Sequence, residues 1–219
     1  DLLFAGNADL TRTLITNYDF RVEYYFQPGE IISLSAFYKD MEDPLERVIR
    51  SDIGNDAMSI QNVDKAEVLG FEFEFRKNLG FIADPFKQFF FTSNFTYVES
   101  SVDIPELELQ VNRAAYPNTP TTRNLVGQSP YLINADISYQ SPSEKLGVDL
   151  SYNYFDDRLM IVTETATPDV FEKGYSTLNS SMKYEFSNNL SLGLKIKNML
   201  KCIFWIFITI FNNNRAFKQ

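Results

Sequence analysis

Side chains able to do acid–base, nucleophilic or metal chemistry are sparse in this chain and poorly arranged for it. It contains no histidine and a single cysteine, Cys202. No Ser-His-Asp or Cys-His pairing is then available to activate a nucleophile. Neither an internal disulfide nor a cysteine-rich zinc site can form. No G-x-S-x-G elbow and no P-loop occurs. Two carboxylate pairs, Asp156-Asp157 and Glu72/Glu74, have the residue type that cleaves glycosidic bonds. Solvation of a loop accounts for the first, and a polar sheet face for the second. The run Asp40, Glu42, Asp43, Glu46, Asp52 and Asp56 is rich in the oxygen ligands that calcium takes, but it lacks EF-hand spacing. It reads as a solvated acidic loop. Neither an enzyme nor a bound cofactor or metal is expected.

Charge and composition narrow the class further. A net charge of −9 leaves no basic face for a nucleic acid. Hydrophobic residues make up 44% of the 219 positions, too many for a disordered chain. Aromatic residues reach 15%, with 20 Phe and 12 Tyr, which suits extended backbone, where rings pack across strands. No window of about 20 apolar residues is available for a transmembrane helix. A transmembrane β-barrel stays open, because alternating strands have low mean hydropathy. Asp1-Leu2-Leu3-Phe4 has neither an initiator Met nor a secretory pattern, so a fragment or processed chain is expected.

The elements that must carry the polar side chains are strands. The clearest stretch is Ser129 to Tyr154. Tyr131, Ile133, Ala135, Ile137 and Tyr139 fall on one face, and Leu132, Asn134, Asp136, Ser138 and Gln140 on the other. Period-two alternation of this kind marks a β-strand. Leu146, Val148, Leu150, Tyr152 and Tyr154 repeat it against Gly147, Asp149, Ser151 and Asn153. Ser141-Pro142-Ser143-Glu144-Lys145 between them is a turn. Three further hairpins follow the same plan. Asn17 to Gln27 turns at Gln27-Pro28-Gly29-Glu30 into a strand carrying Ile32, Leu34, Ala36 and Tyr38. Ala66 to Lys77 pairs with Phe89 to Val98. Tyr175 to Phe186 turns at Ser187-Asn188-Asn189 into Leu190 to Ile196. Asp40 to Asp64, Glu99 to Gln128 and Phe155 to Gly174 read as long loops.

The result is an all-β antiparallel meander of about eight long strands. Turns within hairpins are short and connections between hairpins are long, the asymmetry of outer-membrane barrels. Strands of about 10 to 12 residues exceed the soluble mode of about 5 to 6 and match the 9 to 11 that a bilayer needs. Tyr131 and Tyr139 bracket aliphatic residues as interfacial girdles do. A soluble antiparallel sheet, as in an adhesin-like binding module, would also alternate. A small porin-like barrel of eight strands is the remaining alternative; it requires Leu190 to Leu200 to pair with Asn17 to Gln27.

Five passages carry a resemblance: NYDFRVEYYFQPGEIISLSAFYKDMEDPLERVI, NVDKAEVLGFEFEFRKNL with its Asn-x-x-x-Ala-x-x-x-Gly-x-Glu pattern, FTSNFTYVESSV, LVGQSPYLINADISYQ and LSLGLKIKNML. They resemble the C-terminal barrel of TonB-dependent outer-membrane receptors, of the kind abundant in Bacteroidetes. Each phrase is weak alone, but their order and spacing cover about Asn7 to Leu200. The resemblance implies a partial segment of a barrel of about 22 strands with a plugged lumen. It gives residues 1–200 as the partial barrel and 201–219 as an atypical tail. In that tail Cys202 to Phe211 is solidly apolar where the family's closing strand would begin. A short anchor and a lipid-facing strand are two readings, and a shifted reading frame near Leu200 is the favoured one.

The resemblance also assigns faces and partners. Apolar faces would meet outer-membrane lipid. Asp19, Arg21, Glu23, Glu72, Glu74, Arg76, Asn134, Asp136, Asp149, Asn153, Lys183 and Lys195 would face the lumen, against a plug domain or water. Short turns would be periplasmic, and long loops would reach the cell exterior. Ligand contacts would come from the loops. Arg113, Tyr116, Asn118 and Arg123 are the candidates there, combining hydrogen bonding with aromatic surface. The remaining strands, the plug and a TonB complex are the implied partners. The implied function is import of a siderophore, vitamin, sugar or peptide across the outer membrane of a Gram-negative cell.

Overall fold

The computed structural model of the chain describes residues 3–50, 57–164, 168–187 and 190–200, together with the backbone of 205–212. Asp52, Asp56, Asn188, Asn189 and Cys202 lie outside the described residues.

The strands are β1 (Leu3–Phe4), β2 (Leu14–Tyr25), β3 (Ile31–Glu42), β4 (Leu45–Arg50), β5 (Ala57–Asn62), β6 (Lys65–Asn78) and β7 (Phe89–Asp103). Helix α1 (Glu106–Ala115) and the short β8 (Thr122–Arg123) follow. Then come β9 (Tyr131–Gln140), β10 (Leu146–Phe155), β11 (Arg158–Thr163), β12 (Val170–Glu172), β13 (Tyr175–Ser187), β14 (Leu190–Lys197) and β15 (Trp205–Asn212). Nine of them form one antiparallel wall in the order β15-β14-β13-β10-β9-β7-β6-β3-β2. Every predicted hairpin is present in this meander. Among the described residues β2 pairs only with β3 and β15 only with β14, so the wall is an open sheet and not a closed eight-stranded barrel.

Local chemistry sets the turns. Pro28 supplies its fixed φ and Gly29 takes φ +83°, which suits a type II turn. The Glu30 amide donates to the Gln27 carbonyl at 2.9 Å. Asn78 caps the first of two single 3-10 turns, its side chain accepting from the Gly80 amide at 2.8 Å. The pattern Asn62, Ala66, Gly70 and Glu72 also gains physical reasons. Asn62 bonds the Thr11 and Asp43 carbonyls and the Thr11 amide. Ala66 is buried in the loop-end core, and the Phe37 ring lies over Gly70.

The three long connections are not plain loops, as alternation alone suggested. Two of them supply four of the five strands of a second sheet, in the order β1-β5-β4-β11-β12, with β1 coming from the segment before β2. β4 and β5 come from the first connection, β11 and β12 from the third, and β4 runs parallel to β11 through Val48↔Val162 and Ile49↔Thr163. We call this second sheet, with α1 and β8 from the middle connection, the cap. The buried hydrophobic residues gather in the cap and at the wall ends next to it: Val63, Ala66 and Val102 pack with Met41 and Leu125, and Val48 and Val162 are fully buried. The wall itself leaves large apolar side chains open, since a one-layer sheet has nothing to cover either face. The tail segment Trp205–Asn212 pairs along its length with β14, from Lys197↔Trp205 to Leu190↔Asn212, and adds a ninth strand.

Candidate functional site

The wall has one apolar and one polar face, because side chains alternate while the register holds across strands. On the apolar face Phe20, Leu34, Phe71, Ile137 and Leu150 are exposed mid-strand. Aromatic contacts occur at both ends and also within β6 and β7, where Phe75 lies near Phe73 and Phe91. At the short-turn end Phe89 packs on Tyr139 (4.9 Å between ring centroids), Tyr24 on Phe26 (5.0 Å) and Tyr184 on Phe186 (4.8 Å). At the long-loop end Tyr97 packs on Tyr131 (5.2 Å) and Tyr18 on Tyr38 (6.4 Å). An apolar middle of mixed aliphatic and phenylalanine side chains, with tyrosine-containing pairs at both ends, suits a surface that spans a bilayer.

All twelve residues predicted for the lumen share the opposite face. Successive partners Glu23–Ser33–Glu74–Asn94–Asn134–Asn153–Thr177 form one polar row across seven strands. The row above contains Arg21, Ser35, Glu72 and Thr96, and the row below contains Arg76, Thr92, Asp136, Ser151 and Asn179 on neighbouring strands. Asp149 and Lys195 both face Ser181. Asp19 stands opposite Phe37. Arg21 donates to Glu74 (2.8 Å), Glu23 (2.5 Å) and the Ser35 hydroxyl (3.0 Å). Asn153 donates to Asn134 at 2.7 Å, Ser181 to Asp149 at 3.0 Å, and Lys183 to Glu185 at 2.6 Å. The face offers mixed charge and amide groups at regular strand spacing. That composition suits water, a polar protein surface or a hydrophilic solute.

The four predicted loop residues do not form one group. Arg113, Tyr116 and Asn118 are exposed together around the end of α1, where Arg113 donates to the Thr119 carbonyl at 3.2 Å. Arg123 is elsewhere, with a buried side chain. Its Nη2 donates to Glu46 at 2.5 Å and its Nη1 to Glu108 at 2.8 Å. The expectation of a solvated acidic loop is therefore corrected at Glu46, whose side chain is fully buried. Burial pushes the Glu108 carboxyl up to about 7 against the pull of Arg123, with Glu46 and Asp169 adding to the rise. Burial raises Glu46 as well, again opposed by Arg123. Sequence reasoning missed this cluster and the helix that carries Glu108. Pro105 before the first turn, Glu106 and Glu108 within it, and Arg113 in the last turn were the available signals.

At the rim below the cap Asp157 is held under the usual carboxylate range by Lys173 and the Gly174 amide. At the opposite end Glu30 is lowered by Lys77 and by the Asn78 amide. Lys77 also lies 3.9 Å over the Phe26 ring, so two neighbouring turns are clasped together. Among the described residues no group of three or more His, Cys, Asp or Glu is arranged to hold a metal ion.

Comparison with known proteins adds to this geometry. A family model described as TonB dependent receptor-like, beta-barrel, matches residues 1–199. No curated protein sequence matches. Among solved structures, the siderophore receptor PirA from Pseudomonas aeruginosa superposes with a TM-score of 0.62 at 19% identity, covering 95% of this chain and 31% of that one. The ferric-catecholate import receptor Fiu from E. coli gives 0.60 at 14% identity, covering 89% and 24%. A copper transporter, OprC, gives 0.62 at 12% identity, covering 88% and 26%. These likenesses are of fold. The chain spans about a quarter to a third of the length of the structures it matches. The Bacteroidetes character suggested by the sequence phrases has no support among these matches.

Proposed function

The chain belongs to the TonB dependent receptor-like β-barrel family, and from that premise we propose that it supplies the C-terminal wall of an outer-membrane receptor that imports a bound nutrient. The observation that carries this reading is the two-faced wall. An exposed apolar band between aromatic belts would destabilise a soluble sheet, which buries one face, and is satisfied by lipid.

In this reading the apolar face contacts outer-membrane lipid and the short turns are periplasmic. The cap then lies at the cell exterior and the polar face lines the lumen against a plug domain. Earlier strands complete the barrel along β2, and a TonB complex drives release through the plug. Arg113, Tyr116 and Asn118, exposed beside the cap, are the proposed loop contacts for ligand, and Arg123 serves to hold the cap. We put iron chelates first among ligands to try, ahead of vitamins, sugars and peptides, a choice supported by the description of solved neighbours as siderophore, ferric-catecholate and copper proteins.

Two measurements test the proposal. The protein is expected in the outer-membrane fraction, extractable only by detergent, with heat-modifiable mobility. A water-soluble monomer would end the membrane reading. Disrupting the gene is expected to abolish TonB-dependent uptake of one labelled ligand class. Unchanged uptake across ferric siderophores, cobalamin, oligosaccharides and peptides would end the import reading.

A further inference from the structure

Three buried ionisable groups in the cap play no part in lining the polar face. Glu46 comes from β4, Glu108 from α1 and Arg123 from β8, and their side chains are 0%, 5% and 8% exposed. Asp169, just before β12, is the fourth charge in the neighbourhood. Its carboxylate is anchored by the Thr163 amide at 3.0 Å. Together these groups come from all three long connections, so whatever holds them holds the cap closed over the wall.

Their charges do not balance. Among the described residues Arg123 is the one cation facing two buried carboxylates, with Asp169 adding a further negative charge. Arg123 uses Nη1 and Nη2 on one oxygen of each glutamate. The other oxygens, Glu46 Oε1 and Glu108 Oε2, are buried and have no hydrogen-bond partner among the described residues. A bare buried carboxylate oxygen is costly, and neutralisation is its usual remedy. Each glutamate therefore has one oxygen fixed by the guanidinium and one placed to carry a proton.

We propose that Glu46, Arg123 and Glu108 form a proton-operated latch on the cap, clamped when the two carboxyls hold one proton between them and loosened when both are ionised. The groups facing Glu108 are Arg123 from β8, Glu46 from β4 and Asp169 from the third connection, and of these only Arg123 favours its charged form. Glu108 sits at about 7 in the closed cap against 4.5 for the free side chain. A raised value in the closed state means that closure binds protons more tightly than opening does. The cap is then tightest below about pH 4.5 and loosens progressively up to about 7. That the pH sensed is that of the external medium rests on the orientation proposed above; the latch itself does not.

Hydrogen exchange in outer-membrane vesicles from cells making the protein tests the latch. Protection is followed for peptides spanning 45–50, 104–125 and 158–163, corrected for the pH dependence of intrinsic exchange. Opening of these segments is expected to increase by more than about tenfold between pH 5 and pH 8, while wall strands stay unchanged. E108Q, a permanent stand-in for the protonated acid, is expected to flatten that profile in the protected state. E106Q, on the exposed side of the same helix, is expected to keep the wild-type profile. If E108Q does not assemble, E46Q is expected to flatten the profile in its place. A flat wild-type profile, or an assembled E108Q or E46Q that keeps the full pH dependence, overturns the latch. Heat-modifiable mobility of the same samples keeps the tests distinct: a flat profile in an inserted barrel rejects the latch alone, and lost insertion rejects the membrane reading.

Discussion

Gly70 shows how one residue is fixed by its neighbour across the sheet. A Cβ added there would lie 2.1 Å from the end of the Phe37 ring, so the ring must swing aside. Gly70→Ala is expected to cost about 1 kcal/mol, the low end for overpacking because a side-chain tip can yield. Phe37→Leu should recover most of that loss in the double mutant, a non-additivity measurable by urea unfolding in detergent. Arg123 is the opposite case, a residue whose removal strands its partners. Arg123→Met leaves two buried carboxylates unpaired and is expected to destabilise the cap by about 3 to 5 kcal/mol. Replacing Glu46 and Glu108 by apolar residues at the same time should restore protease resistance. Glu30 supplies a pH dependence of the other sign. Its depressed value means that its stabilising pairing with Lys77 is complete above the ordinary carboxylate range. The pairing is lost as pH falls through the lowered value. Exchange of the Asn78 amide, which donates to Glu30 at 3.2 Å, should quicken in acid, and Lys77→Met should weaken that response.

The strands carry their predictions as pairs of faces. Ile137 and Leu150 are register partners on the apolar face, 43% and 39% exposed. Ile137→Arg or Leu150→Arg is expected to impair membrane assembly by about 2 to 4 kcal/mol near the midplane. Asn134→Arg on the polar face should be far milder. Equal tolerance at all three positions, scored by heat-modifiable mobility, would reverse or abolish the assigned faces. These strands were legible in the sequence because each alternates over most of its length, with exceptions such as Phe37 and Leu132 on the polar face, and most end at a marked turn, such as Pro28-Gly29 or Ser141-Pro142. The cap was not legible, and Glu46 shows why. Leu45 to Arg50 alternates, but with Leu45 exposed and Glu46 buried. A charged residue on the inner face inverts the pattern that marks a strand, and only its distant partner Arg123 makes that burial tolerable. Helix α1 was hidden for a related reason: Leu107 and Val111 are exposed while Glu108 is buried with Leu109, so no apolar stripe marks its inner side. Trp205–Asn212 lacks alternation altogether, and only the neighbouring edge of β14 defines it as a strand.

At the scale of the whole molecule, wall and cap are two sheets with different sources of stability. The wall depends on hydrogen-bond ladders between sequence neighbours and, in the proposed reading, on lipid, whereas the cap depends on burial of Val48, Val162 and their surroundings. Replacing residues 43–64 by a short turn should leave insertion and heat-modifiable mobility intact. The same change should expose 104–130 and 156–174 to external protease, because β4 and Glu46 tie both to the cap. Loss of insertion would mean that the two sheets form one cooperative unit. The parallel join of Val48 to Val162 bears on the order of assembly. Wall hairpins close short loops, but this join needs two segments separated by four intervening wall strands, and such distant contacts form slowly because chain entropy is lost first. The meander must be laid down before β4 can find β11. The cap is thus the last part to form, and its closure reports that the hairpins beneath it are already in register.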